Sequence, residues 1–281
     1  MIADKREKEI TVNMTIDIDS VGFIVPLIKN KITKAFLVLL LVFSLPACRM
    51  SGNKTIGADQ EKPARTAGRT KKMKRVFLAS AGSFVAGDVA ERMAGEKGLK
   101  LLYITTAAEA EDGDLWWLRA DRDALAKAGF LVLEYTITGK SRVEIARAFD
   151  DTNVLCFSGG NNYYLLEKIQ QTGCADLIRR AVENGKPYFG ISAGAIVAGP
   201  DLSPLYYEPD ARKAPELKGL KGLALVDFIV FPHWGNPYFK DFYMNQRLVQ
   251  AFTPGHKIIL LTDSQYVYVE DDAFRIIETK E

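Results

Sequence analysis

From residue 75 onward the chain alternates short apolar runs with amphipathic stretches. The runs at 76–79, 101–104, 131–133 and 154–157 are apolar at consecutive rather than alternate positions. Strands of that kind are covered on both faces, which is the mark of a parallel sheet. Between them lie 85–97, 115–128, 143–149, 163–169 and 175–182, and in 115–128 the apolar positions recur every three or four residues, as on one face of a helix. The pattern predicts an α/β domain with a mostly parallel sheet and helices on both faces. The last part, 258–277, reads as strands joined by short turns that close one sheet edge antiparallel. No internal repeat is visible, and 75–281 is long enough to bury one sizeable core.

The amino-terminal part has a different composition. Residues 35–47 are apolar apart from Ser44 and Pro46, and Lys29, Lys31 and Lys34 lie just ahead of them. That is the n-region and h-region of a secretory signal, too short for a comfortable membrane span. Leu45-Pro46-Ala47-Cys48 resembles a bacterial lipobox, which implies cleavage before Cys48 and a lipid anchor on it. Residues 49–74 are polar, basic and free of apolar periodicity, as in a flexible tether. The organisation expected is a lipoprotein signal peptide over 1–48, a tether over 49–74 and an α/β domain over 75–281, held outside the cytoplasm on a membrane. The competing reading starts the protein at Met73 and leaves a cytoplasmic enzyme.

Composition narrows the chemistry. With Lys+Arg 37 against Asp+Glu 35 the net charge is +2, so nothing drives the whole protein toward nucleic acid. Three cysteines do not make a disulfide framework. Cys156 sits in an apolar strand and reads as a small hydrophobe, and Cys174 begins a helix. There is no HExxH, no CxxC pair and no Walker loop, so no metal and no nucleotide cofactor is expected.

Gly190-Ile191-Ser192-Ala193-Gly194 carries the strongest signal. It follows the apolar run 187–189 and opens an apolar helical stretch at 195–198. A serine on a tight turn between strand and helix is a nucleophile elbow, whose small neighbours let the backbone turn sharply. The bland alternative is a glycine-rich helix start with Ser192 as its N-cap. A serine needs a base, and the chain has only two histidines. His233 ends an apolar run at 228–231 in a segment dense in turn formers, whereas His256 sits in an ordinary surface turn, so His233 is the better base. For the carboxylate that orients the base, Asp263 at the end of 258–262 competes with Glu208, Asp210 and Asp227. Asp227 begins the strand that His233 ends, and Asp263 is preferred.

Ser-Gly-Gly-Asn at 158–161, Gly-Ile-Ser-Ala-Gly-Ala at 190–195, Pro-His at 232–233 and the strand ending at Asp263 together resemble the peptidase E (aspartyl dipeptidase, S51) family, over about 74–278. The resemblance implies a flavodoxin-like fold close to class I glutamine amidotransferases. It implies a triad of Ser192, His233 and Asp263, and an oxyanion hole from Gly159, Gly160 and Ala193. It also implies hydrolysis of short peptides with free amino termini. Asn161, Tyr207, Glu208, Trp234 and Arg247 are expected to contact the substrate, and the protein to act as a monomer or homodimer. Two departures stand out: the family's glycine triplet reads Ser158-Gly159-Gly160, and Met244 falls where aspartyl dipeptidases carry an arginine that reads a substrate carboxylate. The second argues against strict aspartyl specificity. An α/β-hydrolase esterase and a catalytically silent binding domain are the competing functions. The first runs its triad in the order serine, acid, histidine, and its HGGG motif is missing here. The doublet Trp116-Trp117 reads as core plus a half-exposed ring.

Overall fold

A computed structural model describes residues 72–93, 98–252 and 255–279. The signal peptide and lipid anchor expected over 1–48 fall outside the described residues, as does the expected tether except for 72–74. Lys74 already belongs to the domain: its N–H donates to Asp271 Oδ1 at 3.1 Å, and its carbonyl accepts the Asp271 N–H at 2.9 Å.

A seven-stranded sheet forms the frame, in the order β3-β2-β4-β5-β1-β8-β9. Strands β1 (Arg75–Ala79), β2 (Lys100–Ile104), β3 (Leu131–Tyr135), β4 (Val154–Phe157) and β5 (Tyr188–Ile191) are mutually parallel. Every residue of β4 and β5 is buried, the consequence of an unbroken apolar run between two helical layers. β8 (Gln265–Glu270) pairs antiparallel with β1, β9 (Ala273–Glu278) pairs antiparallel with β8, and together they close that edge as expected. The parallel part is a flavodoxin-like sheet in which the chain's first strand occupies the last place: counting from β2, the order becomes 2-1-3-4-5.

The helices cover the two faces: α1 (Gly82–Met93), α2 (Trp116–Lys127), α3 (Arg142–Asp150), α4 (Asn162–Thr172), α5 (Ala175–Glu183) and the short α6 (Ala193–Val197). Their limits follow local chemistry. Ser141 and Glu144 form a capping box at the start of α3. Asn161 caps α4 by accepting the Tyr163 and Tyr164 N–H groups, and Gly173 ends it in the left-handed conformation. One apolar cluster, including Phe157, Leu165 and Ile178, fills one side of the sheet, and a second, including Phe77, Val89 and Leu125, fills the other.

Two runs depart from the sequence reading, and the first is β3, an edge strand with Leu131 54% and Leu133 45% exposed rather than covered on both faces. The run at 258–260 is not part of the main sheet. β6 (Ile229–Phe231) and β7 (Ile258–Leu260) pair parallel in a separate two-stranded sheet. Pairing partners are set by long-range packing, which a local apolar run does not encode.

Candidate active site

Ser192 follows β5 at φ 46° and ψ −104°, a conformation side-chain-bearing residues rarely take. Two contacts hold the turn. The Ser192 N–H donates to the Ala79 carbonyl at the end of β1 at 2.8 Å, and the Gly194 N–H donates to the Ser158 carbonyl at 3.2 Å. Gly194 is obligatory here, since a Cβ on it would stand 2.2 Å from the Phe157 carbonyl oxygen. Ala193 is the first helical residue of α6, so its N–H has no partner within that helix.

His233 leaves β6 at φ 62°. Its Nε2 lies 3.0 Å from Ser192 Oγ and its Nδ1 lies 2.6 Å from Asp263 Oδ1. The other Asp263 oxygen accepts from Asn236 Nδ2 at 3.0 Å. The imidazole stacks on Phe239 with centroids 4.9 Å apart, which restricts its tilt. Burial pushes the Asp263 carboxyl up, but the His233 and Asn236 hydrogen bonds and the nearby imidazole outweigh burial and hold it below the usual carboxylate range. Such a carboxylate stays ionised and fixes the Nδ1–H tautomer.

The glycine turn after β4 lies opposite. Gly160 is at φ 120°, and a Cβ on it would meet the Ala107 carbonyl at 2.4 Å. A Cβ at Gly159 would stand 3.4 Å from both Ser192 Cβ and the Trp117 ring, so this turn packs directly on the serine elbow.

These groups line one cleft of roughly 1210 Å³. It takes in Ser192, His233, Asp263, Gly159, Gly160, Asn161, Tyr207 and Arg247, but neither Glu208 nor Trp234 is on its wall. Glu208 is exposed and paired with Arg212, and Trp234 turns toward the apolar cluster beside β6. Asn161 faces the cleft with its amide already engaged in the α4 cap and in a bond to the Asp210 carbonyl at 3.0 Å. His256 is exposed, and Asp227 pairs with Lys257 instead of His233.

Met244, expected at the place of a carboxylate-reading arginine, is turned away from the cleft, whereas Arg247, expected to contact the substrate, lines it. A π-turn, Tyr243–Arg247, widens the helical segment after His233. It leaves Met244 53% exposed and off the cleft wall, while Arg247 is 7% exposed and lines the cleft. The guanidinium lies over the Phe242 ring at 4.7 Å and 3.7 Å from Asp210 Oδ2, and its Nε has no hydrogen-bond partner. Met244, off the cleft, therefore does not bear on whether a substrate carboxylate is read.

Several site residues were not legible. Asn236 reads as a turn former, and indeed its Oδ1 accepts the Tyr238 N–H at 3.0 Å, but nothing local announces its bond to Asp263. Trp116 and Trp117 line the cleft rather than simply filling core. Asp121, one turn after Trp117, is 5% exposed and accepts the Ser83 N–H at 2.7 Å. Burial pushes its carboxyl up to about 6, against the pull of Ser83, the nearby His233 and Gly82. Among the described residues no cluster of His, Cys, Asp and Glu fits a metal ion.

Comparison with known proteins places the chain in a family. The family model for peptidase family S51 matches residues 77–277. An uncharacterized peptidase of Listeria innocua is 30% identical over 200 residues, covering 71% of this chain and 94% of that protein. Peptidase E of Haemophilus influenzae is 36% identical over 90 residues, 32% of this chain and 37% of that one. A crystal structure of a peptidase E candidate from Listeria monocytogenes superposes with a TM-score of 0.68 at 26% identity, over 74% of this chain and 100% of that chain.

Proposed function

The chain belongs to peptidase family S51 and is a serine-type peptidase, and we propose that it hydrolyses short peptides with Ser192 as nucleophile, His233 as base and Asp263 as the carboxylate that orients it. The observation that carries this reading is one imidazole hydrogen-bonded on one side to Ser192 Oγ and on the other to Asp263.

The steps follow from the positions. His233 Nε2 takes the Ser192 hydroxyl proton as Oγ attacks the peptide carbonyl carbon. Negative charge moves to the carbonyl oxygen, toward the backbone N–H groups of Gly160 and Ala193. His233, now imidazolium and stabilised by Asp263, gives its proton to the leaving amine as the C–N bond breaks. A water then repeats the sequence on the acyl-enzyme and frees the acid. Arg247, the cation on the cleft wall, is the group offered to a substrate carboxylate. A cleft of roughly 1210 Å³ suits a few residues of peptide rather than a folded chain.

The acid follows the histidine in the chain, opposite to the order of an α/β-hydrolase esterase. The test is Ser192→Ala against a dipeptide series, together with fluorophosphonate labelling of the wild type. Loss of hydrolysis on the order of 10⁴- to 10⁶-fold is expected. Retention of more than about a tenth of the activity overturns the assignment. A wild type that neither labels nor cleaves leaves a binding domain instead.

A further inference from the structure

The nucleophile and its base come from different sheets. Ser192 leaves β5 of the seven-stranded sheet, while His233 and Asp263 follow the β6–β7 pair. No strand ladder of either sheet therefore sets the distance between Ser192 Oγ and His233 Nε2. Something else has to register the two. His233 also sits at φ 62°, which a side-chain-bearing residue abandons unless its backbone is held.

We propose that Ser80 is a positioning residue, whose hydroxyl ties the main sheet to the β6–β7 pair and fixes the His233 backbone in line with Ser192. Ser80 directly follows β1. Its Oγ accepts the His233 N–H at 3.0 Å and donates to the Leu261 carbonyl at 3.0 Å. The same Leu261 carbonyl accepts the Trp234 N–H at 2.8 Å, so the bridge joins the loop of the base to the loop of its carboxylate. The residue before Ser80 does the matching task for the nucleophile, since the Ala79 carbonyl accepts the Ser192 N–H at 2.8 Å. Two consecutive residues, the last of β1 and the one after it, thus hold nucleophile and base to one frame. Ser80 borders the cleft but is 1% exposed, and its hydrogen and an acceptor lone pair are both engaged by the His233 and Leu261 backbones, so its hydroxyl acts through His233. Without the hydroxyl, the His233 N–H and the Leu261 carbonyl lose a buried partner, and the His233 loop is free to drift. A misplacement of about 1 Å costs on the order of a hundredfold in rate.

The inference rests on reading Ser192 and His233 as nucleophile and base. Its test compares Ser80→Ala, Ser80→Cys and Ser80→Thr with Thr152→Ala, a control that removes another buried hydroxyl bond (to the Ala148 carbonyl, 2.9 Å) just before β4, at the strand ends away from the site. The readouts are kcat, KM, the rate of fluorophosphonate labelling of Ser192, and Tm. Ser80→Ala should lower kcat and the labelling rate at least about tenfold with KM changed less than about twofold. Ser80→Cys, of similar shape but a feeble hydrogen bonder, should stay slow, and Ser80→Thr, which keeps the hydroxyl, should recover most of the rate. Thr152→Ala should lower Tm and leave both rates alone. Labelling of Ser80→Ala and Ser80→Cys within about twofold of wild type overturns the proposal, as does a Ser80→Thr no faster than Ser80→Ala, or a Thr152→Ala as slow. A wild type that labels but cleaves no peptide refutes the peptidase reading, and the labelling ratios still decide the role of Ser80.

Discussion

Replacing Ser192 by glycine should abolish activity yet leave a protein more stable than the alanine variant, and the sign of that difference tests whether the elbow is strained. Ser192 is held at φ 46° and ψ −104° by the bond from its N–H to the Ala79 carbonyl. Backbones in sparsely populated regions cost about 1–3 kcal/mol when the residue bears a Cβ. Glycine removes that cost but loses about 0.5–1 kcal/mol relative to alanine through the greater freedom of the unfolded chain. The reference is therefore Ser192→Ala, which keeps the Cβ and, like the glycine variant, lacks the hydroxyl that meets His233. Subtracting the two terms leaves Ser192→Gly more stable than Ser192→Ala by about 1 kcal/mol. For a domain of this size that is an increase in Tm of about 2–4 °C. Urea denaturation at constant m-value, backed by calorimetry, measures it. At an unstrained position the order reverses, with glycine the less stable by about 0.5–1 kcal/mol. A glycine variant that unfolds at or below the alanine variant refutes the argument.

The remaining predictions concern the groups around the serine. Asp263→Asn should keep the fold and lower kcat on the order of 10⁴-fold by removing the charge that stabilises the imidazolium, while Glu208→Gln, off the cleft wall, should stay within about threefold; the reverse result in kcat/KM on one dipeptide displaces Asp263 from the triad. Arg247→Gln should cut the preference for Asp-X over Leu-X dipeptides by roughly tenfold or more, the worth of a charge-assisted hydrogen bond, and an equal fall for both substrates refutes a carboxylate-reading role. Asp121 gives a pH effect of defined sign. Its carboxyl, pushed up to about 6 against an ordinary 3.8, keeps a proton in the folded state that the unfolded chain releases. Stability relative to Asp121→Asn should therefore fall as pH rises from about 4 to 6, by about 3 kcal/mol in all, and parallel pH–stability curves for the two proteins overturn it.

The apolar runs alone determined that the domain is an α/β sheet covered on both faces, because a strand buried on two sides must be apolar at every position. β1, β2, β4 and β5 match their runs to within a residue or two for that reason. Ser192 was legible because an elbow needs small residues at fixed offsets, a requirement written locally in Gly190, Ala193 and Gly194. His233 was legible by elimination between two histidines. What depended on distant pairing was not legible. That β7 pairs with β6 rather than joining the main sheet is decided by packing, and an apolar strand carries no label for its partner. The π-turn that puts Arg247 on the cleft and Met244 outside shifts the helical phase, which a count along the sequence that assigned Met244 the carboxylate-reading place does not register. Ser80 and Asn236 act across 153 and 27 residues of chain, through single hydrogen bonds that leave no periodic trace. Local sequence specifies backbone conformation and burial. Only the closed tertiary structure brings a hydroxyl at the end of β1 to the one backbone N–H that must be held.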